Sequence, residues 1–428
     1  PLLVLLIGPL TSTNGLARDE IAIHGFVSQG YLKSTGNNYL AKSMRGSWEF
    51  AEVGINFGTN VSDDMRIGIQ LFTRDLGELG NFNFEFDWGF ADYTWYDEIS
   101  FRLGRIKMPY GLYGEYRDLD IVRPGVLMPQ SVYFESLRDL LVAFNGLQIY
   151  GTIDVGSSGF GSIDYSLFGG SIMGPGSGEK SSTALFFNNR AYEQSRSTPL
   201  FRTRNDSVNP WMAGASLAWA TPVQGLLLKF TMSHYYANIK ADLNPLFIEQ
   251  LSQIGQLPEY IDPVQSYHSM VNFSVGSLEY TIGEFIFAYE YARYYGEFQS
   301  LNAPLLPHTD LNQERSYAQV SYRINDSIQV SSYYGYQRDP RKIYSPFPDL
   351  FLGQTKQDKI LPEGTLDFQW FAHDYSAAIR LDINDYWIVK LEGHYFNGTT
   401  HLYVVMNPNK ERLVQHWSLI AAKTTLMF

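Results

Sequence analysis

The sequence predicts an all-β protein: a sixteen-stranded antiparallel transmembrane β-barrel with short periplasmic turns and long extracellular loops. Three observations predict it. Extended segments with period-two alternation follow one another along nearly the whole chain, their number is even, and the connections between them alternate between short and long. A soluble sandwich has no physical reason to sort its connections in this way.

The segments run at 21–33, 44–57, 65–74, 82–96, 99–108, 142–153, 162–173, 209–220, 226–237, 265–281, 285–297, 314–324, 328–337, 369–383, 386–396 and 414–428. In RIGIQLFTR, Ile67, Ile69, Leu71 and Thr73 oppose Arg66, Gly68, Gln70 and Arg74. In YWIVKLEGHY, Trp387, Val389, Leu391 and Tyr395 oppose Lys390, Glu392 and His394. FNFEFDWGF places Phe82, Phe84, Phe86, Trp88 and Phe90 on one face, which is expected to meet lipid, and Glu85 and Asp87 on the other, expected to meet water. Most segments reach ten residues or more, where globular strands average about five or six, as a tilted bilayer crossing requires.

Short connections contain SDD (62–64), YDE (96–98), DVGSSGFG (154–161), PVQG (222–225), IGE (282–284), NDS (325–327) and ND (384–385). Longer ones fall near 34–43, 75–81, 109–141, 174–208, 238–264, 298–313, 338–368 and 397–413, with a short helix expected over 244–255. Closure into a cylinder satisfies every backbone group and leaves no edge. Tyr93, Trp95, Tyr291, Tyr294, Tyr295, Tyr333, Tyr334 and Trp387 are expected to form the interfacial aromatic girdles.

Composition agrees. Aromatic residues make up 15% of the 428, with 30 Tyr and 28 Phe, while the hydrophobic total is only 45%. Mean hydropathy is −0.18, because lipid-facing and water-facing residues average out along each strand. A net charge of −12 excludes a basic stripe for nucleic acid, and the absence of Cys excludes disulfides and thiolate metal sites. PLLVLLIGPLTSTNGLA reads as the remnant of a secretory signal, so 1–17 is expected to be a signal peptide and 18–428 the barrel.

The chain ends TTLMF on Phe428, and its first long strand-to-loop junction of note reads RLGRIKMPYGL (102–112). On these features it resembles Gram-negative outer-membrane porins, and the junction is similar to that of the phosphate-selective porin-like family, matched by Gly104, Lys107, Pro109, Tyr110 and Gly111. The segment LYGEYRDLDIVRPGVLMPQSVYF beyond it departs from that family, so phosphate selectivity is not carried over. The resemblance implies a homotrimer in the bacterial outer membrane, in contact with its lipid and delivered by the barrel-assembly machinery through Phe428. It further implies a third long loop folded inward to narrow a water-filled channel for small hydrophilic solutes or ions, without enzymatic activity or cofactor.

By position the third long loop carries Glu115, Arg117, Asp118, Asp120, Arg123, Glu135, Arg138 and Asp139, the expected constriction, whose acids would face a basic wall across the channel. Alternation assigns Arg66, Arg102, Lys229, Arg323, Arg380, Lys390 and Lys423 to the inner wall, against Glu52, Glu85, Asp87, Asp164, Glu290, Asp374, Asp382 and Glu392. That near-tie leaves the sign of selectivity open. Arg105 and Lys107 share the parity of the lipid-facing Phe101 and Leu103, a conflict that a bulge at Gly104 or a place above the bilayer would resolve. GPGSGEKS (174–181) lacks the Gly that a phosphate-binding loop needs before its Lys, and the eight His are scattered without metal-ligand spacing. Two other readings stay open: an outer-membrane barrel hydrolase, and a soluble carbohydrate-binding or adhesin sheet protein.

Overall fold

The computed structural model of the chain describes residues 21–77, 80, 82, 84–135, 138–156, 159–172, 201–243, 249, 253, 264–300, 308–339, 342–344, 367–402, 406–407 and 412–428. The expected signal segment, GPGSGEKS and nearly all of the expected helix over 244–255 lie outside the described residues.

Among the described residues, seventeen strands form one sheet: β1 (Ala22–Ser34), β2 (Phe50–Ser62), β3 (Met65–Leu76), β4 (Glu85–Tyr96), β5 (Ile99–Lys107), β6 (Ala143–Asp154), β7 (Ser162–Ser171), β8 (Phe201–Ala220), β9 (Leu226–Leu243), β10 (Val264–Ile282), β11 (Phe285–Ser300), β12 (His308–Asn325), β13 (Ile328–Arg338), β14 (Lys342–Tyr344), β15 (Phe371–Asn384), β16 (Trp387–Gly398) and β17 (His416–Met427). Each of the sixteen long strands pairs antiparallel with its sequence neighbours, and three-residue β14 extends the rim beside β12 while β13 pairs with β15. The sheet closes where β17 meets β1, from Phe26↔Met427 to Ser34↔Leu419. Gly25 and Phe428 complete the seam, each amide donating to the other's carbonyl at 3.0 Å. The barrel is therefore closed, with sixteen strands crossing between short turns and long loops.

The exterior carries the apolar side chains. Phe84 is 78% exposed and Phe86 47%, which water would penalise and acyl chains do not. The alternation breaks inside β4, however. Gln70 pairs with Trp88 and Leu71 with Phe86, so Asp87 is an extra residue, a bulge that reverses the facing of everything before it. Trp88 and Phe90 consequently face inward, stacked at 5.2 Å with the Arg102 guanidinium 4.3 Å from the Phe90 ring, which corrects the expectation that they meet lipid. Two expected girdle members are corrected likewise. Tyr294 and Tyr333 are buried on the inner wall, because they share parity with Glu290 and with Ser331 and Gly335, whereas Tyr93, Trp95, Tyr291, Tyr295, Tyr334 and Trp387 are exposed outside.

The interior is packed as well as polar. Met108, Tyr110, Met128, Val132 and Tyr133 from the segment 108–142 bury themselves with Phe144, Phe168, Tyr235, Phe273, Tyr294 and Tyr317 of the wall. A second cluster joins Tyr39, Leu40 and Ala41 to Val126, Leu127, Phe396, Trp417 and Leu419. Each such large side chain contributes about 1.5–3 kcal/mol on burial, enough to hold a loop inside a cylinder that solvent would otherwise fill.

Candidate functional site

The candidate site is the segment 108–142 between β5 and β6, and the sequence that turns it inward is RLGRIKMPYGL. Gly104 has φ 138° and Gly111 φ 59°, both in the region that favours glycine. Between them Lys107 is buried beside Asp87 Oδ2 at 2.9 Å and bonds Asp118, and the Pro109 carbonyl accepts from Thr231 at 2.9 Å. Arg105 donates from Nε to the Asp87 carbonyl at 2.8 Å. The bulge expected at Gly104 is not there, since the β4–β5 pairing keeps its register at that residue; Arg105 stays on the parity of Leu103, and Lys107, the last residue of β5, reaches Asp87 and Asp118.

The loop docks at three places. At its root, Arg138 bonds Asp118 at 2.7 Å and Asp87 at 3.3 Å, while Glu135 accepts from Arg74 at 2.6 Å and Arg117 at 2.9 Å. At its tip, Lys390 donates to the carbonyls of Asp120, Arg123 and Gly125 at 2.6, 2.7 and 3.2 Å, and the Asp120 carboxylate takes Thr425 at 2.8 Å, Arg123 at 3.0 Å and Lys423 at 3.3 Å. Arg380 bonds the Ile121 carbonyl, and Glu392 accepts from the amides of Val126 and Leu127 at 2.6 and 2.8 Å. On the opposite wall, Glu290 gathers Tyr133 at 2.5 Å, Tyr317 at 2.7 Å, Ser277 at 2.5 Å and the Leu112 amide at 2.8 Å. Beside it the Tyr110 and Tyr294 hydroxyls meet at 2.6 Å, Tyr294 donates to the Val132 carbonyl at 3.0 Å, and Arg315 to that of Ser131 at 3.1 Å.

These contacts set the loop's electrostatics. Burial alone would raise the Asp118 carboxyl, but Arg138 and Lys107 outweigh it and hold the group well below the usual range. Asp120 is lowered in the same way, against burial, by Lys390, Lys423 and Arg123. Burial also opposes ionisation of Glu135, yet Arg117 and Arg74 bring it down to about 2. Burial pushes the Tyr133 and Tyr110 hydroxyls far up, so they stay protonated donors.

The loop acids therefore meet the wall directly and not across a water gap. Glu115 is half-buried, Arg117, Asp118, Asp120, Arg123 and Arg138 are buried, and the Asp139 side chain lies outside the described residues. On the wall, Asp87, Arg380 and Lys390 are brought to the loop, while Arg66, Glu85 and Lys229 are half-buried. Arg102 bonds Asp92 at 2.8 Å, and Arg323 bonds Asp382 at 3.2 Å. Sequence reasoning missed Arg74, Tyr133, Tyr294, Tyr317 and Arg315. Parity was the available signal for three of them, since Tyr294 lies in register with Glu290, and Arg315 and Tyr317 with Gln319.

With this geometry the fold can be compared with solved ones. OmpT, an outer membrane protein of Vibrio cholerae, superposes with a TM-score of 0.52 at 10% identity, covering 96% of this chain and 100% of that one as its loop L8 deletion mutant. The outer membrane channel DcaP of Acinetobacter baumannii gives 0.51 at 10%, covering 98% and 100%, and OprB of Pseudomonas putida 0.51 at 9%, covering 95% and 94%. The chain has the fold of an outer-membrane β-barrel. No protein-family model and no curated protein matches it, so the likeness rests on architecture: a closed barrel whose apolar exterior suits the bacterial outer membrane.

Proposed function

We propose that the protein is an outer-membrane porin through which small hydrophilic solutes or ions diffuse passively, with the segment 108–142 narrowing the channel as an inward-folded third loop. The observation that carries this reading is the depth of the loop tip. Lys390, which binds three of its carbonyls, lies three residues into β16 from the periplasmic turn, so the loop reaches well down the cylinder. A loop held there by buried ion pairs limits the cross-section and leaves passage to the lumen beside it. The reading needs no covalent chemistry and no cofactor.

The junction 102–112 supports a porin-like assignment, and a trimer form of Vibrio cholerae OmpT supports a homotrimer. Phe428, exposed at the closing seam, is available to the barrel-assembly machinery. The test is reconstitution into planar bilayers. Stepwise conductance from folded protein is expected; silence from preparations that retain heat-modifiable barrel mobility would overturn the proposal.

A further inference from the structure

The loop tip gathers more bases than acids. Lys390, Lys423 and Arg123 surround Asp120, with Lys423 also 2.5 Å and Arg123 3.7 Å from Glu52. Arg380, which bonds the Ile121 carbonyl, shares one carboxylate with Arg323: Asp382 takes Arg380 Nε at 2.6 Å and Arg323 Nη1 at 3.2 Å. Five bases thus stand against Glu52, Asp120 and Asp382. Glu392, engaged by the Val126 and Leu127 amides and Ser376, lies farther toward the extracellular side, and the bases exceed the acids even with it counted. Asp326 offers Arg323 only its backbone carbonyl, at 3.0 Å.

Of the five, four are closed off and one is open. The Arg323 side chain is 34% exposed, while those of Arg123, Arg380, Lys390 and Lys423 are 8% or less. In the same neighbourhood the loop presents aliphatic carbon to the lumen, with Ile121 41% and Val122 42% exposed inside a barrel whose other apolar loop residues are mostly buried. A surplus cation beside uncovered aliphatic surface, in a lumen of reduced dielectric, matches a solute with an anionic group and an apolar body.

We propose that the periplasmic side of the loop tip is a weak site for organic anions with an apolar body, the anionic group on Arg323 and the body against Ile121 and Val122. This deepens the channel reading and rests on it. Bi-ionic reversal potentials with benzenesulfonate, methanesulfonate and benzyltrimethylammonium separate charge from body. Benzenesulfonate is expected to permeate at least as well as the smaller methanesulfonate and ahead of the cation. Arg323→Gln lowers its permeability by about fivefold, the worth of one partly exposed charge contact. The double change Ile121→Ser and Val122→Ser removes the advantage over methanesulfonate and keeps the advantage over the cation. Equal effects of the variants on all three ions, or a wild type that ranks them by size alone, would overturn the site. Should the protein conduct nothing, the channel reading fails on its own, and equilibrium dialysis of labelled benzenesulfonate against the folded protein still decides: retention lost in Arg323→Gln supports the site, and retention absent or unchanged refutes it.

Discussion

The two flanks on which the 108–142 loop rests hold it by different physics. On the flank of β2–β5 and β15–β17 the contacts are ion pairs, Asp118 with Lys107, Glu135 with Arg74 and Asp120 with Lys390 and Lys423, each acid also paired within the loop to Arg138, Arg117 or Arg123. On the flank of β9–β12 they are mainly phenols and apolar rings around one carboxylate, Glu290, to which no base is bonded among the described residues, with Arg315 adding one charged donor to the Ser131 carbonyl. A buried pair has desolvated both partners, so removing one leaves the other stranded, whereas a phenol removed from a four-donor node leaves three donors behind. The charged flank should therefore be brittle and responsive to acid. The phenolic flank should be graded.

The largest effect is expected from Lys390→Ala, which strips three carbonyls of their donor and leaves Asp120 with less compensating charge. The tip should lose about 3–5 kcal/mol of docking, read as raised conductance and as tryptic cleavage after Arg117. Cleavage as slow as in wild type would contradict brittleness. Next, Glu290→Gln exchanges charge-assisted bonds for neutral ones at a cost of about 1.5–3 kcal/mol, measured as a lower denaturant midpoint with the loop still protected.

Acid should discriminate between the flanks. Asp118 and Glu135 have folded pKa values below their unfolded ones, so their stabilisation is fully present above the unfolded value near 4 and is lost as pH falls toward about 2 for Glu135. Loop protection should hold at pH 5 and fail progressively below about pH 4, and fail at higher pH in Arg117→Gln, whose lost cation lets the Glu135 carboxyl rise. Identical pH profiles for the two would argue that the ion pairs do not hold the loop. The smallest effect belongs to Tyr133→Phe, which removes a single donor from Glu290 and should cost about 1 kcal/mol, visible in the same denaturant titration.

How legible was all this in the sequence? The strands were, because sixteen runs of alternation are fixed by the need to bury backbone groups and separate two media. Individual facings were not. One bulged residue, Asp87, turned Trp88 and Phe90 from lipid to lumen, and bulges leave no mark in a polarity pattern. The loop's charges were identifiable by position, yet their partners were not, since Lys390 and Asp120 stand 270 residues apart and only the closed register brings them together. Tyr294 was hidden for another reason: an aromatic near a strand end reads as a girdle member unless its parity with a wall acid is followed through, and Tyr133 sits in the loop, where no alternation assigns a facing.

The central claim is that the 108–142 loop lies inside the barrel against its wall. A Cβ built on Gly335 of β13 would stand 3.2 Å from Ser131 Oγ of the loop, within reach of a disulfide, and the chain contains no cysteine to interfere. In Ser131→Cys with Gly335→Cys, oxidation should leave no titratable thiol in the folded protein, and reductant should restore both. Two free thiols after oxidation, in a barrel that is otherwise folded, would place the loop somewhere else.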